Sequence, residues 1–253
     1  MKMKNFNYDL KTKINYYQYL WLILVFCFLS FSLVIATIAV SIATNDFIAY
    51  AVLKGLASLA FLVIGIYSIT KLKTAQRLKW KHFINLGFIF VSFVANILMN
   101  INLIASISTF LAAQCIYILY CNYNYKFTSK KELWLLTTYI PIIVLVNVLF
   151  GVGVFNRNAA YWTISNFYGI AIVTSIVYAI ITYHRNQNMI SLLTIITLLL
   201  LFVSSLLFMF KTFMITSYIN NEADKTLTFF TLLTYFLSMN MNSLNLKNIN
   251  FNY

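Results

Sequence analysis

The sequence predicts an all-α integral membrane protein with about eight transmembrane helices. Hydrophobic residues make up 62% of the 253 residues and charged residues only 9%, whereas soluble domains carry about 25% charged residues. A water-soluble domain of this size would have too few charged side chains to cover its surface. The apolar residues are also grouped into runs of about 20, the length at which an α-helix crosses a bilayer.

The first predicted span follows a Lys- and Asn-rich segment, and no small-residue cleavage site follows it, so we expect it to be retained as a membrane helix. The stretch 83–122 is too long for one helix and about long enough for two, with Asn100 and Asn102 at the turn between them. The last span is short and polar, which leaves a seven-span alternative open. The predicted spans are residues 20–43, 48–70, 83–100, 103–122, 134–154, 164–183, 190–210 and 226–243.

The whole chain, residues 1–253, is expected to form one polytopic membrane domain. Residues 1–19 are predicted as a basic cytoplasmic tail, residues 20–243 as the eight-helix bundle and residues 244–253 as a second cytoplasmic tail. Tyr and Trp residues at the span ends fit the aromatic belt of a bilayer interface. These aromatic residues include Tyr16, Tyr17, Tyr19, Trp21, Trp80, Trp134 and Trp162.

The basic residues predict the orientation of the bundle. Because Lys and Arg concentrate in cytoplasmic connections, the side of the membrane that holds more of them is the inner side. One side carries 14 of the 18: Lys2, Lys4, Lys11, Lys13, Lys71, Lys73, Arg77, Lys79, Lys81, Lys126, Lys130, Lys131, Arg185 and Lys247. The other side carries Arg157, Lys211 and Lys225, and Lys54 lies within a span. Both termini are therefore predicted to be cytoplasmic, and the +13 net charge indicates membrane orientation rather than nucleic-acid binding.

The two halves of the chain carry similar short segments. Phe-Val-Ser occurs at 90–92 and again at 202–204, and Phe-Leu-x-x-Gln at 110–114 is followed by Phe-Leu-x-x-Asn at 236–240. With four spans per half, these segments favour a parallel 4+4 internal repeat, whose axis lies along the membrane normal. Short matches also arise by chance in so apolar a chain.

No carboxylate lies inside a predicted span, because Asp9, Asp46, Glu132, Glu222 and Asp224 all fall in tails or loops. Proton relays and ion-coupled transporters usually require an intramembrane acid, so the sequence argues against both. The three cysteines show no metal-ligand spacing, and no nucleotide or metalloenzyme motif occurs. We therefore expect neither a metal nor another cofactor.

Several polar side chains do lie inside the predicted spans. Asn96, Asn147, Ser205 and Asn240 are expected in the extracytoplasmic halves of their spans, with Lys54 and Gln114 also nearer that side. Any one of them is explained by a hydrogen bond between helices, and Lys54 by reaching outward to the interface. Their similar depths on different helices favour a shared polar cavity. The full set is Lys54, Asn96, Gln114, Asn147, Ser204, Ser205, Tyr235 and Asn240.

Five segments carry a recognisable order of residues: Tyr50 to Leu56, Gly87 to Leu98, Phe110 to Tyr117, Leu201 to Phe213 and Thr234 to Leu237. They resemble, in register, five segments of the lysoplasmalogenase-like (YhhN) membrane protein family. Those segments read Lys-Pro-Leu, Gly-x-x-Phe-Ser-x-x-Gly-Asp-x-x-Leu, Phe-x-x-Ala-His-x-x-Tyr, Phe-x-x-Ser-Asp and Thr-Tyr-Tyr-x-Ala-Gln. The resemblance covers roughly residues 48–243.

The resemblance implies a plasma-membrane protein that handles lysophospholipids. Family members of known activity hydrolyse the vinyl ether bond of lysoplasmalogens and release an aldehyde and a glycerophospho-base. The implied substrate-binding residues are Lys54, Asn96, Gln114, Ser205 and Tyr235, and the implied partners are membrane lipids, with Lys54 pairing with the lipid phosphate. Of these residues, Lys54 and Tyr235 are the only candidates for a catalytic role.

The chain departs from the family pattern at the positions that matter for hydrolysis. The family's two intramembrane Asp positions read Asn96 and Ser205, its His reads Gln114, and the Pro after Lys54 reads Gly55. Cleavage of a vinyl ether by protonation needs a general acid. Asn and Gln cannot supply a proton at neutral pH, and Ser is a poor acid. These departures favour a lipid-handling protein that has lost the hydrolase activity.

Two other functions are open at this point. The same cavity could serve a small-solute or lipid transporter or flippase, provided that transport is not coupled to protons or sodium. A sensor or scaffold subunit is the third alternative, since the basic segment 71–82 suits anionic lipid head groups or a protein partner.

Overall fold

The computed structural model describes residues 2–43, 47–75, 80–124, 141, 159–187, 189–214 and 221–245. These residues form seven α-helices, and a π-helical turn, Phe210–Met214, continues the sixth. The helices are α1 (Lys2–Ala43), α2 (Phe47–Ala75), α3 (Trp80–Leu98), α4 (Leu103–Asn124), α5 (Ala159–Asn186), α6 (Met189–Met209) and α7 (Asn221–Asn245).

Four helices are long and apolar enough to cross a bilayer: Leu24–Ala43 of α1, Phe47–Ile69 of α2, Ala160–His184 of α5 and Ser191–Thr212 at α6. The apolar parts of α3 and α4 are shorter, His82–Leu98 and Leu103–Leu119. Large apolar side chains on the outside of the bundle, such as Phe28, Ile48 and Leu119, are exposed. In water this exposure would be costly, but in a bilayer these side chains contact lipid. The chain is a helical membrane protein.

Seven of the eight predicted spans coincide with these helices, and residues 134–154 lie outside the described residues except for Pro141. The helix that contains the first span starts well before that span. Residues 2–19, predicted as a tail outside the membrane, are the helical beginning of α1. The apolar pattern indicates where a helix can enter lipid, but it does not indicate where the helix itself begins.

The predicted turn between the third and fourth spans is confirmed. The backbone N–H of Asn102 donates to the Leu98 carbonyl at 2.8 Å and closes the turn. The Asn102 side chain caps α4, since its Oδ1 accepts the Ala105 N–H at 3.1 Å. The turn between α5 and α6 uses Gln187, which has a φ of 44° and donates its N–H to the Tyr183 carbonyl at 2.7 Å.

Each helix packs against the next described helix along the chain, and α7 closes the bundle by packing against α1, α2 and α6. Ser side chains join neighbouring helices within this ring. Ser106 of α4 donates to the Ala95 carbonyl of α3, and Ser238 of α7 to the Thr197 carbonyl of α6, both at 2.8 Å. Small buried hydroxyls let the helix backbones approach closely, as is typical of membrane helices. This packing leaves a cavity inside the ring.

Candidate functional site

A cavity of about 60 Å³ lies between α2, α3, α4, α5, α6 and α7. It lies toward the end of the bundle at which α2, α4, α5 and α7 begin and α3 and α6 end. Most of its wall is apolar, and its polar groups come from five different helices. The lining residues are Lys54, Asn96, Met99, Ile107, Phe110, Ser165, Tyr168, Leu201, Ser204, Ser205, Phe208, Met209, Thr231, Leu232 and Tyr235.

The basic group among the described lining residues is the Lys54 side chain, which is only 1% exposed. Its Nζ donates to the Met99 thioether at 3.2 Å and to Asn100 Oδ1 at 3.4 Å. It also lies 5.7 Å from the centre of the Tyr50 ring, within the range of a cation–π contact. Lys54 is therefore enclosed by the protein, and its partners are a neutral sulfur, an amide oxygen and a ring. Because Met99 and Asn100 lie in the turn after α3, the alternative in which Lys54 extends toward the outer interface stays open.

Asn96 fixes the position of Lys54 indirectly. Its side-chain Nδ2 donates to Ser58 Oγ, and Ser58 in turn donates to the Lys54 carbonyl at 2.8 Å. These bonds join α3 to the α2 turn that carries Lys54. Asn96 therefore both lines the cavity and connects two helices.

Two tyrosines of the cavity wall are already hydrogen-bonded. The Tyr168 hydroxyl of α5 lies 2.8 Å from Ser205 Oγ of α6. The Tyr235 hydroxyl of α7 donates to the Ser92 carbonyl of α3 at 3.2 Å, and the Tyr235 ring meets the Phe110 ring edge to face, with 5.8 Å between centres. Because the Tyr235 O–H already donates to the Ser92 carbonyl, this hydroxyl is poorly placed to give a proton to a ligand.

Four of the five residues expected to bind substrate line the cavity: Lys54, Asn96, Ser205 and Tyr235. Gln114 does not. It is buried against α5, where its Oε1 accepts a hydrogen bond from Ser175 at 3.1 Å. Gln114 is thus placed as a connector between α4 and α5.

The other polar residues inside the predicted spans have different positions. Ser204 lines the cavity and donates to the Thr231 carbonyl at 2.9 Å, whereas Asn147 lies outside the described residues. Asn240 pairs with Ser30 of α1 and lies nine residues, or about 13 Å of helix, beyond Thr231. The expectation that Asn240 shares the depth of the cavity residues is wrong, because α7 carries it toward the opposite end of the bundle.

Sequence reasoning missed Ser165, Tyr168 and Thr231 as lining residues. Hydroxyl-bearing residues are common in membrane helices and usually bond to their own helix, so their type alone gives no signal. Their distances from the helix starts do place them near the depth of Lys54. The side of each helix that faces inward was not readable from these apolar spans.

The chemistry available to this site is binding through one cation and several hydroxyls. No carboxylate and no His is among the described lining residues. Within the described part of the chain, no cluster of three His, Cys, Asp or Glu residues could hold a metal ion. The cavity can therefore attract an anion to Lys54 and offer hydrogen bonds to neutral groups around it.

No protein-family model, curated protein or solved structure matches this chain.

Proposed function

We propose that this membrane protein binds a lysophospholipid and that Lys54 pairs with the lipid phosphate. The observation that carries the proposal is a buried ammonium that has no carboxylate partner among the described residues of the cavity. An unpaired buried charge is costly unless a counter-charge or many hydrogen bonds compensate it. An anionic ligand group would provide that counter-charge, because a phosphodiester carries one negative charge at neutral pH.

The size of the cavity limits how much of the ligand it takes up. At roughly 15 Å³ for each water molecule, a volume of about 60 Å³ holds about four waters. This space suits a phosphate and part of the glycerol rather than a whole lipid. The alkyl chain would then lie among the bilayer lipids, outside the bundle.

Binding without hydrolysis is the function we favour. Asn96 and Ser205 stand where the resembling family has acids, and the Tyr235 hydroxyl donates to the Ser92 carbonyl. Lys54 is then the one described lining side chain with a proton suited to general-acid catalysis. Such a protein would be a divergent relative of the lysoplasmalogenase-like family that keeps the lipid site.

The proposal includes the architecture expected from the sequence. We place eight spans in the plasma membrane, arranged as a parallel 4+4 repeat, with both termini in the cytoplasm. The concentration of Lys and Arg on one side of the predicted bundle supports this orientation. In it, the end of the bundle that holds the cavity faces the outside of the cell.

The test is titration of the purified protein in detergent with lysophosphatidylcholine, followed by native mass spectrometry. Lys54→Met keeps an unbranched side chain, one atom shorter, and removes the charge. Because a hydrogen bond to a charged group contributes about 1.5–3 kcal/mol, we expect the affinity to fall at least about tenfold. Equal affinity of Lys54→Met and the wild type would overturn the proposal.

Lys211→Met is the matched control. Lys211 lies at the same end of the bundle but is partly exposed, and it contacts Asp224 at 3.2 Å and Thr228. We expect near wild-type affinity for this variant. A parallel assay for aldehyde release from a vinyl-ether lysophospholipid tests hydrolysis, and release that Lys54→Met abolishes would show that the chemistry survives without the family's acids.

A further inference from the structure

In the part of the chain that the structure describes, two hydroxyls of the cavity wall have no hydrogen-bond partner. Ser165 Oγ of α5 and Thr231 Oγ1 of α7 are both buried, and neither has an acceptor or a donor within reach. Both residues line the cavity. Ser165 as a whole is only 4% exposed, so solvent outside the bundle does not compensate its hydroxyl.

Neighbouring hydroxyls on the same helices are satisfied. Thr174 and Ser175 of α5 each donate to the carbonyl four residues earlier, and Thr228 and Thr234 of α7 do the same. This back-bonding is the usual arrangement in membrane helices, because it leaves no free O–H in an apolar environment. Among the described residues, Ser243 of α7 is a further buried hydroxyl without a partner, but it lies outside the cavity, whereas Ser165 and Thr231 both line it.

We propose that the Ser165 and Thr231 hydroxyls bind the glycerol portion of the ligand, through its free secondary hydroxyl. The inference rests on the proposed function and extends it. Lys54 binds the phosphate, and Ser165 and Thr231 hydrogen-bond to the neutral hydroxyl of the glycerol portion. A serine or threonine hydroxyl can donate and accept at once, and a ligand hydroxyl can do the same. An ester carbonyl can only accept a hydrogen bond, so it would leave the acceptor capacity of the two side-chain hydroxyls unused.

This assignment makes the site selective for lysophospholipids over lipids that lack the free hydroxyl. A diacyl phospholipid carries an ester at that carbon and cannot donate there. The free hydroxyl of a lysophospholipid thus matches the two unpaired hydroxyls of the cavity wall.

The experiment compares lysophosphatidylcholine with its 2-deoxy analogue, which lacks only that hydroxyl, on the purified full-length protein. We expect the wild type to bind the analogue about five- to tenfold more weakly, the usual effect of one lost hydrogen bond. Ser165→Ala and Thr231→Val should weaken binding of the natural ligand and shrink the difference between the two ligands toward onefold. The same variants should keep or raise the ligand-free unfolding temperature, because each removes an unpaired buried hydroxyl.

Thr174→Val and Thr234→Val are controls on the same helices. Both residues donate to their own helix and lie outside the cavity lining, so the five- to tenfold preference should persist in them. If the wild type binds lysophosphatidylcholine but every variant keeps the full preference, the hydroxyl site is overturned and the Lys54 assignment stands. If the wild type binds neither ligand, both proposals fall.

Discussion

The Tyr168 hydroxyl of α5 donates a hydrogen bond to the Ser205 hydroxyl of α6, which lies 2.8 Å away. The direction follows from Ser205, whose own proton is used in a 2.8 Å bond to the Leu201 carbonyl. Ser205 therefore accepts from Tyr168 while it donates to its own helix. The pair joins two walls of the cavity, and we expect its two residues to contribute unequally to stability.

Ser205→Ala should destabilise the ligand-free protein more than Tyr168→Phe does. Removing Ser205 Oγ leaves the buried Tyr168 O–H without an acceptor, at a cost of about 1–3 kcal/mol. Removing the Tyr168 hydroxyl leaves Ser205 bonded to Leu201 and costs about 1 kcal/mol or less. Thermal unfolding of both variants in the same detergent measures the difference. The opposite order would mean that Tyr168 is the acceptor, and Ser108→Ala, at an exposed hydroxyl bonded to its own helix, is the control.

Lys54→Met should raise the unfolding temperature of the ligand-free protein while it weakens ligand binding. Burying the ammonium next to Met99 and Asn100 is costly, and replacing buried ionic groups by apolar side chains of similar volume often stabilises a protein by about 1–4 kcal/mol. Opposite changes in stability and affinity are typical of a group kept for function. A lower unfolding temperature would instead indicate that the contacts of Lys54 hold α2 against α3. Lys211→Met should change stability by about 1 kcal/mol or less, because its ion pair with Asp224 is partly exposed.

The sequence predicts the helices far better than it predicts the site. Apolar runs of span length identify the seven described helices, since composition and length decide which segments can lie in lipid. Which face of a helix points inward is not encoded as clearly, because several spans are apolar on all sides. Gln114 is an example of a residue whose facing could not be predicted. Its residue type and depth suit the cavity, but the rotation of α4 directs its side chain to Ser175. Ser165 is an example of a cavity residue that the sequence did not predict, since only the packing of α5 shows that its hydroxyl has no partner.

The reciprocal pair of Ser30 and Asn240 should stabilise the contact between α1 and α7 without affecting ligand binding. Asn240 Nδ2 donates to Ser30 Oγ at 2.8 Å, and Ser30 is also placed to donate to Asn240 Oδ1 at 3.1 Å. Hydrogen bonds between membrane helices contribute about 0.6–2 kcal/mol. Asn240→Leu should therefore lower stability by about this amount, as measured by unfolding in detergent. Reduced lysophosphatidylcholine affinity in this variant would contradict the assignment of Asn240 to packing alone.

The ends of α4 and α5 bear on the number of spans. Ile107 of α4 and Ser165 of α5 line the same cavity, so both helices begin at the same end of the bundle. α4 ends at Asn124, which is 17 residues and about 26 Å of helix beyond Ile107. The chain therefore leaves α4 at one end and enters α5 at the other, as an eight-span topology with a span at 134–154 requires.

Single cysteines at Ile101 and Gln187 should react with a membrane-impermeant maleimide from opposite sides of the membrane. Both positions are exposed in the turns that precede α4 and α6, and the native cysteines (Cys27, Cys115 and Cys121) are first replaced by Ser. Because Lys and Arg concentrate on the side that holds Gln187, we expect Ile101→Cys to react in intact cells and Gln187→Cys only after permeabilisation. The reversed pattern would invert the orientation but keep eight spans. Labelling of both cysteines from one side would mean that the chain does not cross the membrane between α4 and α5, and the predicted span at 134–154 would be wrong.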